Sequence, residues 1–346
     1  MNVNYIKQIY STSNMSTQNV QLPIDAVVAV TYDCNSRCTM CDIWKIRDFP
    51  MLPVSEFRKL PSSLRDINIS GGEPFLRADL PDVVKAIVET CPKARIVIST
   101  NGFSSALVEA QMKKILKIKP DIGVSISIDG MNEMHDKIRG IPDGFKKDMD
   151  TLERLQKLGM TNLRLAFTIL PENVSHFRLV YDEARRRGVQ FTHAFAQSSE
   201  HYFGGIQFDN TTNRDTLREE YRYIIRQELK TWNPKRWARA YFAYGLYRFS
   251  VEKKQVLTND PGTKFFYLDP RGVVYPSVVH NEPMGNIQNV NSLTELWYSE
   301  RAHGARAAVQ KKGRAAWMIC TSRTAIRKHP LQVGLWVFRN KFGGVA

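Results

Sequence analysis

Short apolar segments alternate with amphipathic segments over the N-terminal part of the chain. The apolar segments are rich in β-branched residues, and this pattern predicts strands at residues 26–32, 64–69, 94–99, 122–128, 162–169 and 189–195. The amphipathic segments have helical spacing, which predicts helices at residues 79–90, 105–117, 143–158 and 174–187. Strands that alternate with helices indicate parallel strands joined by crossover helices, and therefore an α/β fold.

The alternation divides the chain into regions of different character. Residues 1–22 are rich in Asn, Ser, Thr and Gln, and we predict a poorly ordered extension there. Residues 23–196 hold the six strands, which predict a partial barrel. Residues 197–262 predict a helical cap or linker, whose aromatic residues pack against the barrel or, as the alternative, form a platform for substrate. These aromatic residues are Trp232, Trp237, Tyr241, Phe242, Tyr244, Tyr247 and Phe249.

The composition indicates a globular protein in a compartment that keeps thiols reduced. A chain of 346 residues can bury a substantial core in one large or two moderate domains. Five cysteines, three of them clustered, are too few and too uneven for a disulfide framework. We find no signal peptide and no apolar stretch near the ~20 residues that span a bilayer. We therefore predict a cytoplasmic protein.

Three of the cysteines form a C-x3-C-x2-C motif at Cys34, Cys38 and Cys41. Three thiolates can hold three irons of a [4Fe–4S] cluster and leave the fourth iron open to a ligand. A zinc site is the alternative, but it needs four ligands, or three with water, and no second Cys or His pair follows at a matching interval. Three ordinary buried cysteines so close together would be a coincidence. The spacing therefore favours the cluster.

A glycine-rich bend, Gly71-Gly72-Glu73-Pro74, follows the second predicted strand and exposes its backbone to a ligand. The cysteine motif after the first strand, together with this bend after the second, resembles the radical S-adenosylmethionine (SAM) superfamily. The resemblance implies a partial (β/α)6 barrel, with the active site at the carboxyl ends of its strands. It also implies two cofactors, one [4Fe–4S] cluster and SAM.

The resemblance extends to residues that would bind SAM. In that family the Gly-Gly-Glu-Pro segment binds the methionine amino group, and the residue before the last cysteine lies near the adenine. Ser127, Asp129 and Arg139 would contact the ribose or the carboxylate, Arg139 being part of an H-D-x-x-R-G stretch. The predicted SAM-binding residues are Met40, Gly71, Gly72, Glu73, Pro74, Ser99, Asn101, Ser127, Asp129 and Arg139.

Residues 263–325 resemble the SPASM or twitch extensions of that family, which implies an α+β extension after the barrel. The predicted hairpin at 265–276 and the segments 284–287 and 292–297 carry this resemblance. The extension usually binds an auxiliary cluster, but Ser277, Ala315 and Ala316 stand where its cysteines are expected. We therefore predict the extension without its metal. Cys320 is then either a buried structural residue or a hydrogen-atom donor.

The positive charge of the chain is concentrated near its C-terminus. The net charge is +15, and residues 301–346 contain ten Lys or Arg and no Asp or Glu. Residues 326–346 also contain many apolar and aromatic residues, so we predict a basic amphipathic tail. We expect it to dock on the protein itself first, and next to contact a membrane surface through residues 331–346. Nucleic acid ranks third, because no nucleic-acid module is visible.

The family resemblance implies reductive cleavage of SAM to a 5′-deoxyadenosyl radical, which abstracts a hydrogen atom from an unactivated C–H bond. The electron donor would be a flavodoxin or a ferredoxin. The basic, aromatic tail favours a membrane-derived lipid or isoprenoid as substrate, and an enzyme peripheral to the membrane. The alternatives are epimerisation or crosslinking of a ribosomally made peptide, and modification of a sugar or nucleotide. A non-catalytic scaffold with the same fold is the alternative of another class.

Overall fold

The computed structural model describes residues 20–206, 214–258, 261–312 and 317–345. Within these residues the strands form one open sheet with the order β6-β5-β4-β3-β2-β1-β7-β8-β9. Neighbouring strands from β6 to β7 are parallel, and β8 and β9 are antiparallel to their neighbours. The strands are β1 (Asp25–Ala29), β2 (Asp66–Ser70), β3 (Arg95–Thr100), β4 (Gly123–Ser127), β5 (Leu163–Ile169), β6 (Gln190–Phe195), β7 (Phe265–Leu268), β8 (Val273–Tyr275) and β9 (Gly285–Asn286).

Helices connect the first six strands and make up most of the C-terminal part. They are α1 (Leu80–Thr90), α2 (Ser105–Ile118), α3 (Glu133–Arg139), α4 (Gly144–Lys157), α5 (Val174–Arg186), α6 (Glu200–Phe203), α7 (Arg214–Leu229), α8 (Pro234–Glu252), α9 (Leu293–Trp297), α10 (Glu300–Lys312), α11 (Ile319–Lys328) and α12 (Pro330–Phe342). The predicted α/β fold with a partial barrel is confirmed. Most of the predicted N-terminal extension, residues 1–19, lies outside the described residues.

The six predicted strands form because their alternate residues enter two different environments. Leu163 and Leu165 of β5 are buried in the main core beneath the helices. Ala166 and Thr168 are half-buried and belong to the opposite face of the same strand. Side chains alternate between the two faces of a strand, so the second set lies on the concave side of the barrel.

The sheet continues beyond β1, which the sequence pattern did not predict. Strand β7 pairs in parallel with β1, with Asp25 opposite Phe265, and β7 then forms an antiparallel hairpin with β8. The predicted hairpin of the extension is therefore present, but it extends the barrel sheet instead of standing apart from it.

Helix α11 lies against the amino ends of β1 and β2. The Arg323 side chain forms ion pairs with Asp25 at 3.3 Å and with Asp66 at 2.5 Å. Just before the helix, Met318 packs in a small apolar cluster that includes Val27 of β1. These contacts attach the C-terminal part of the chain to the barrel.

Helix α12 docks on α8 through one of its faces. The Trp336 ring lies 5.2 Å and 4.9 Å, between centroids, from the rings of Tyr241 and Tyr244, and Val337 is buried. Of the two destinations ranked highest for the tail, the structure therefore shows contact with the protein itself. None of the helices in the described ranges combines the length and the apolar character that crossing a bilayer requires.

A glycine in helix α8 leaves room for a buried tryptophan to pack against the helix. The Trp317 indole donates its Nε1 hydrogen to the Phe242 carbonyl oxygen at 3.0 Å, and the ring lies over Gly245. A Cβ at Gly245 would come within 2.2 Å of this ring. The glycine is therefore required by packing, even though glycine weakens a helix.

We expect Gly245→Ala to destabilise the protein by about 1–2 kcal/mol, measured by urea unfolding. Overpacking costs roughly 1–3 kcal/mol, and the better helix propensity of alanine returns up to about 1 kcal/mol. Gly304→Ala in α10 is the matched control, because no atom lies within 4 Å of its Cβ position. This control should gain stability by roughly 1 kcal/mol. Equal effects of the two changes would contradict the packing role of Gly245.

Candidate active site

The loop that carries the three cysteines follows β1 and is clamped to the end of α3. The Arg37 amide donates to the Arg139 carbonyl oxygen at 3.0 Å, and the Thr39 amide donates to the Ile138 carbonyl oxygen at 2.9 Å. The Ser36 hydroxyl also donates to the Arg139 carbonyl oxygen, at 2.9 Å. Backbone atoms of α3 therefore hold the segment on which the cysteines stand.

The two glycines of the bend after β2 bring its backbone against the cysteine loop. The Gly72 amide donates to the Thr31 carbonyl oxygen at 2.8 Å, and the Glu73 amide donates to the Asp33 carbonyl oxygen at 2.7 Å. A Cβ at Gly71 would lie 2.4 Å from the Thr31 oxygen, and one at Gly72 would lie 2.2 Å from the Asp33 oxygen. No other residue type fits this close approach.

The Glu73 carboxylate joins the ends of β2 and β3. It is buried and accepts hydrogen bonds from the Phe75 amide at 3.1 Å, the Thr100 hydroxyl at 2.8 Å and the Asn101 amide at 2.7 Å. Burial raises the pKa of Glu73 to about 7, although these donors lower it. The Glu73 carboxylate is therefore hydrogen-bonded to groups within the protein.

Asp129 and Arg139, both predicted to contact SAM, form a buried ion pair at 2.6 Å. Asp129 also accepts a hydrogen bond from the Thr168 amide at 2.6 Å. The second terminal nitrogen of Arg139, Nη1, lies 3.6 Å from the Cys38 sulfur. Although burial alone would lower it, Asp129 and Cys38 raise the pKa of Arg139 above its usual value. A permanent positive charge therefore stands beside one of the cysteines.

His135 and Asp148 support this ion pair, and neither was predicted as a site residue. His135 Nδ1 accepts a hydrogen bond from the Asp129 amide at 3.1 Å, and its Nε2 lies 3.0 Å from an Asp148 carboxylate oxygen. Burial and the nearby Arg139 lower the pKa of His135 to about 3, so the ring is neutral with its proton on Nε2. His135 lies in the H-D-x-x-R-G stretch, which was a signal for it, whereas no motif marked Asp148.

The other predicted SAM-binding residues lie at the carboxyl ends of β1 to β4. Met40 is buried with Ile138 in a small apolar cluster. The Asn101 amide nitrogen donates to the Asn35 oxygen at 2.7 Å and lies 3.8 Å from the Cys34 sulfur. Pro74 begins a short 3-10 helix, Ser99 donates a hydrogen bond to Asn68, and Ser127 ends β4. The structure thus gathers the predicted residues at one edge of the sheet.

The three cysteine thiols are the candidate ligands of the predicted cluster. Within the described ranges, no group of three or more His, Cys, Asp or Glu side chains is placed to hold one metal ion. A zinc ion needs its sulfur ligands at about 2.3 Å, whereas a four-iron cluster binds each cysteine at a different iron. Burial raises the pKa of Cys34 and of Cys41 to about 12, so their thiolates need positive charge, which irons would supply.

Cys320 lies in the first turn of α11, which packs against β1. It packs beside the apolar cluster that contains Val27, and burial raises its pKa to about 12. Tyr202, whose hydroxyl shares a hydrogen bond with Ser70 at 2.9 Å, lies within electrostatic range of both Cys41 and Cys320. The two roles predicted for Cys320, a buried structural residue or a hydrogen-atom donor, stay predictions.

Ser277, the first position expected to hold an auxiliary cysteine, is occupied in local hydrogen bonds. Its hydroxyl lies 2.6 Å from His280 Nδ1 and accepts from the Val279 amide at 3.2 Å. The other two positions, Ala315 and Ala316, lie outside the described residues.

An open barrel of parallel strands, with a three-cysteine loop clamped across its carboxyl edge, defines a class of protein built around an iron–sulfur cluster. Residues 28–184 match the model of the radical SAM superfamily. Residues 28–184 are therefore similar to a radical SAM domain, as the motifs predicted. This superfamily uses a [4Fe–4S] cluster and SAM.

Curated relatives are similar over part of their length. The Fe-coproporphyrin III synthase of Methanosarcina barkeri is 33% identical over 164 residues, which cover 44% of this chain and 39% of that protein. The sporulation killing factor maturation protein SkfB of Bacillus subtilis is 28% identical over 173 residues, covering 48% and 41%. The chain thus matches less than half the length of these two relatives.

A solved structure shows the same fold over a longer region. The structure of native anSMEcpe with bound AdoMet covers 81% of this chain and 82% of its own, with a TM-score of 0.55 and 17% identity. At this identity the similarity concerns the fold alone. It includes strands and helices beyond the radical SAM domain.

We expect Gly72→Ala to displace the cysteine loop and to abolish iron binding, because the new Cβ would lie 2.2 Å from a backbone oxygen of that loop. Iron content and visible absorption after anaerobic reconstitution measure this loss. Gly304→Ala, which meets no atom, should bind iron like the wild type. Full iron content in Gly72→Ala would show that the close approach is not needed.

Glu73 should make stability fall with rising pH. Its pKa is about 7 in the folded protein and about 4.5 when unfolded, so its stabilising effect is complete below pH 4.5 and is lost as the pH rises through 7. Glu73→Gln cannot titrate. We expect wild type to lose roughly 3 kcal/mol of stability relative to Glu73→Gln between about pH 4.5 and pH 8. Urea unfolding of the apoprotein measures it, and parallel pH curves would contradict it.

Proposed function

We propose that this protein is a radical SAM enzyme that acts on a C–H bond of its substrate. The observation that carries the proposal is the cysteine loop, held on one side by α3 and on the other by Gly71 and Gly72. When bound, the cluster and SAM supply a 5′-deoxyadenosyl radical that removes a hydrogen atom from the substrate. A flavodoxin or a ferredoxin is the proposed electron donor.

The chain's own residues would bind and orient these groups. Cys34, Cys38 and Cys41 would each hold one iron, and Arg139 would offset negative charge next to Cys38. The buried Asp129 keeps Arg139 in place. Because a radical reacts only with an atom about 3–3.5 Å away, the rigid clamp on the loop is the chain's main contribution to the reaction.

We propose a membrane-derived lipid or isoprenoid as the substrate, and a cytoplasmic enzyme at the membrane periphery. The support is the C-terminal helix α12, which presents large apolar side chains to solvent in a strongly basic part of the chain. Apolar area beside Lys and Arg is what contact with anionic lipid requires.

A peptide substrate is the second candidate. SkfB is a maturation protein by name, and anSMEcpe has been solved with a bound peptide at a TM-score of 0.54. A nucleotide substrate has similar support, since the GTP 3′,8-cyclase of Helicobacter pylori is 30% identical over 179 residues. The intact cysteine loop and its clamp disfavour the non-catalytic scaffold.

The test uses reconstituted, reduced enzyme with SAM and extracts of host cells grown in deuterated medium, separated into lipid and aqueous fractions. We expect deuterium in 5′-deoxyadenosine, detected by mass spectrometry, with the lipid fraction only. Deuterium with the aqueous fraction alone would instead support a peptide, sugar or nucleotide. No 5′-deoxyadenosine with either fraction would refute the enzyme.

Two cysteine variants control this experiment. Cys38→Ala should lose the cluster and form no 5′-deoxyadenosine. Cys91→Ala should keep about four irons per chain, because Cys91 is buried in the core and its thiol bonds the Pro61 carbonyl oxygen, away from the loop. Iron retained by Cys38→Ala would refute the assigned ligands.

A further inference from the structure

Helix α12 presents an apolar face to solvent. Leu331, Leu335, Phe338 and Phe342 are spaced by four, three and four residues, so they lie on one side of the helix. They are 89%, 51%, 63% and 62% exposed. Together with Trp232 they account for five of the eleven large exposed apolar residues in the described part of the chain. Such a concentration marks an interaction surface, whereas single exposed residues do not.

The exposed face is held in a defined position. On the opposite side of α12, Trp336 packs on α8, as described above. At the end of the helix, the Lys341 ammonium donates to the Thr231 carbonyl oxygen at 3.1 Å and lies 4.4 Å from the centre of a Trp232 ring. The Trp232 ring is 6.3 Å from that of Phe342. The turn between α7 and α8 therefore continues the apolar face of α12.

A groove between α8 and α12 adjoins this face. Its volume is about 590 Å³, and both aromatic and basic side chains line it. Among the basic ones, Arg248 is paired with Glu252 at 2.6 Å, but Lys254 and Arg339 form no ion pair with any described residue. The aromatic and basic residues that line the groove include Tyr241, Tyr244, Trp336, Arg248, Lys254 and Arg339. The groove therefore suits a molecule with an apolar part and a negative charge.

The positive charge around this apolar face favours a negatively charged partner. Residues 301–346 carry ten Lys or Arg and no acidic residue, and Lys230 and Lys235 flank Trp232. A second copy of the chain would bring the same positive charge, which disfavours a self-interface. An anionic bilayer offers acyl chains for the apolar residues, negative head groups for the basic ones, and an interface that tryptophan prefers.

We propose that α12 and the α7–α8 turn bind an anionic lipid bilayer, with the groove at Arg339 and Lys254 holding a lipid head group. The apolar residues enter the outer part of the acyl layer, and the basic residues stay among the head groups. The suggestion that this brings a lipid substrate to the barrel rests on the proposed function. The membrane contact extends the peripheral location proposed above, and it can be measured without catalytic activity.

Vesicle sedimentation of the full chain tests the apolar face. The vesicles are phosphatidylcholine alone, or phosphatidylcholine with roughly one third phosphatidylglycerol. We expect binding to the anionic vesicles, weakened by salt. Phe338→Ser/Phe342→Ser should lower the binding at least about tenfold. Leu107→Ser/Leu179→Ser, which removes two exposed leucines elsewhere, should bind like the wild type. Circular dichroism checks that each variant is folded. Leu331→Glu, at a site 89% exposed, is a second variant of the same apolar face.

Charge variants test the groove. Arg339→Gln should lower binding to anionic vesicles about fivefold and leave binding to neutral vesicles unchanged. Lys113→Gln, which removes an exposed lysine on α2, is the matched control and should have no effect. Equal loss in both variants would show a dependence on net charge alone and overturn the assignment of the groove.

Other outcomes would overturn the proposal. These are no vesicle binding, equal binding to neutral and anionic vesicles, or full displacement by soluble glycerol phosphate. A dimer in light scattering that Phe338→Ser/Phe342→Ser dissolves would replace the bilayer by a second copy. Formation of 5′-deoxyadenosine in solution by this double variant, at the wild-type rate, separates a failure of the membrane proposal from a failure of the enzymatic one.

Discussion

The close approach of two backbone segments determines the architecture of the site. Gly71 and Gly72 lie so near to the cysteine loop that a Cβ at either position would clash with a backbone carbonyl oxygen. The contact aligns two backbone hydrogen bonds between the bend after β2 and the loop after β1. Since α3 holds the other side of the loop, the three cysteines have a fixed frame before any metal binds. A prearranged frame lowers the entropic cost of binding a cluster.

Buried charge is the second constraint. Glu73, Asp129 and Asp148 are all buried near one cation, Arg139, and burial raises the pKa of each carboxyl. One arginine cannot neutralise three carboxylates, so hydrogen bonds from backbone amides and a neutral His135 complete the balance. Removing one member would leave another buried and unpaired, which explains why side chains of such different types are packed together.

The sequence predicted the barrel well because the two signals used, the periodicity of strands and helices and the motifs that follow the strands, are both local. Strand and helix periodicity depends on neighbouring residues, and the six predicted strands all exist. The position of the site followed, since the motifs come directly after strands whose carboxyl ends share one edge. The pairing of β7 with β1 was not predictable in this way, because it joins segments more than two hundred residues apart. Asp148 was missed for a different reason: no motif marks it, and its approach to His135 depends on the packing of α3 against α4.

The sequence by itself determined the α/β fold and the three-cysteine motif, because strand periodicity and ligand spacing are properties of consecutive residues. Only the tertiary structure decided how the side chains divide their roles. Glu73, Asp129 and Arg139 bond to groups within the protein, since burial requires a partner for each charge. The basic tail contacts the protein with one face and leaves the other to solvent, because a helix can dock only the side that its neighbour covers.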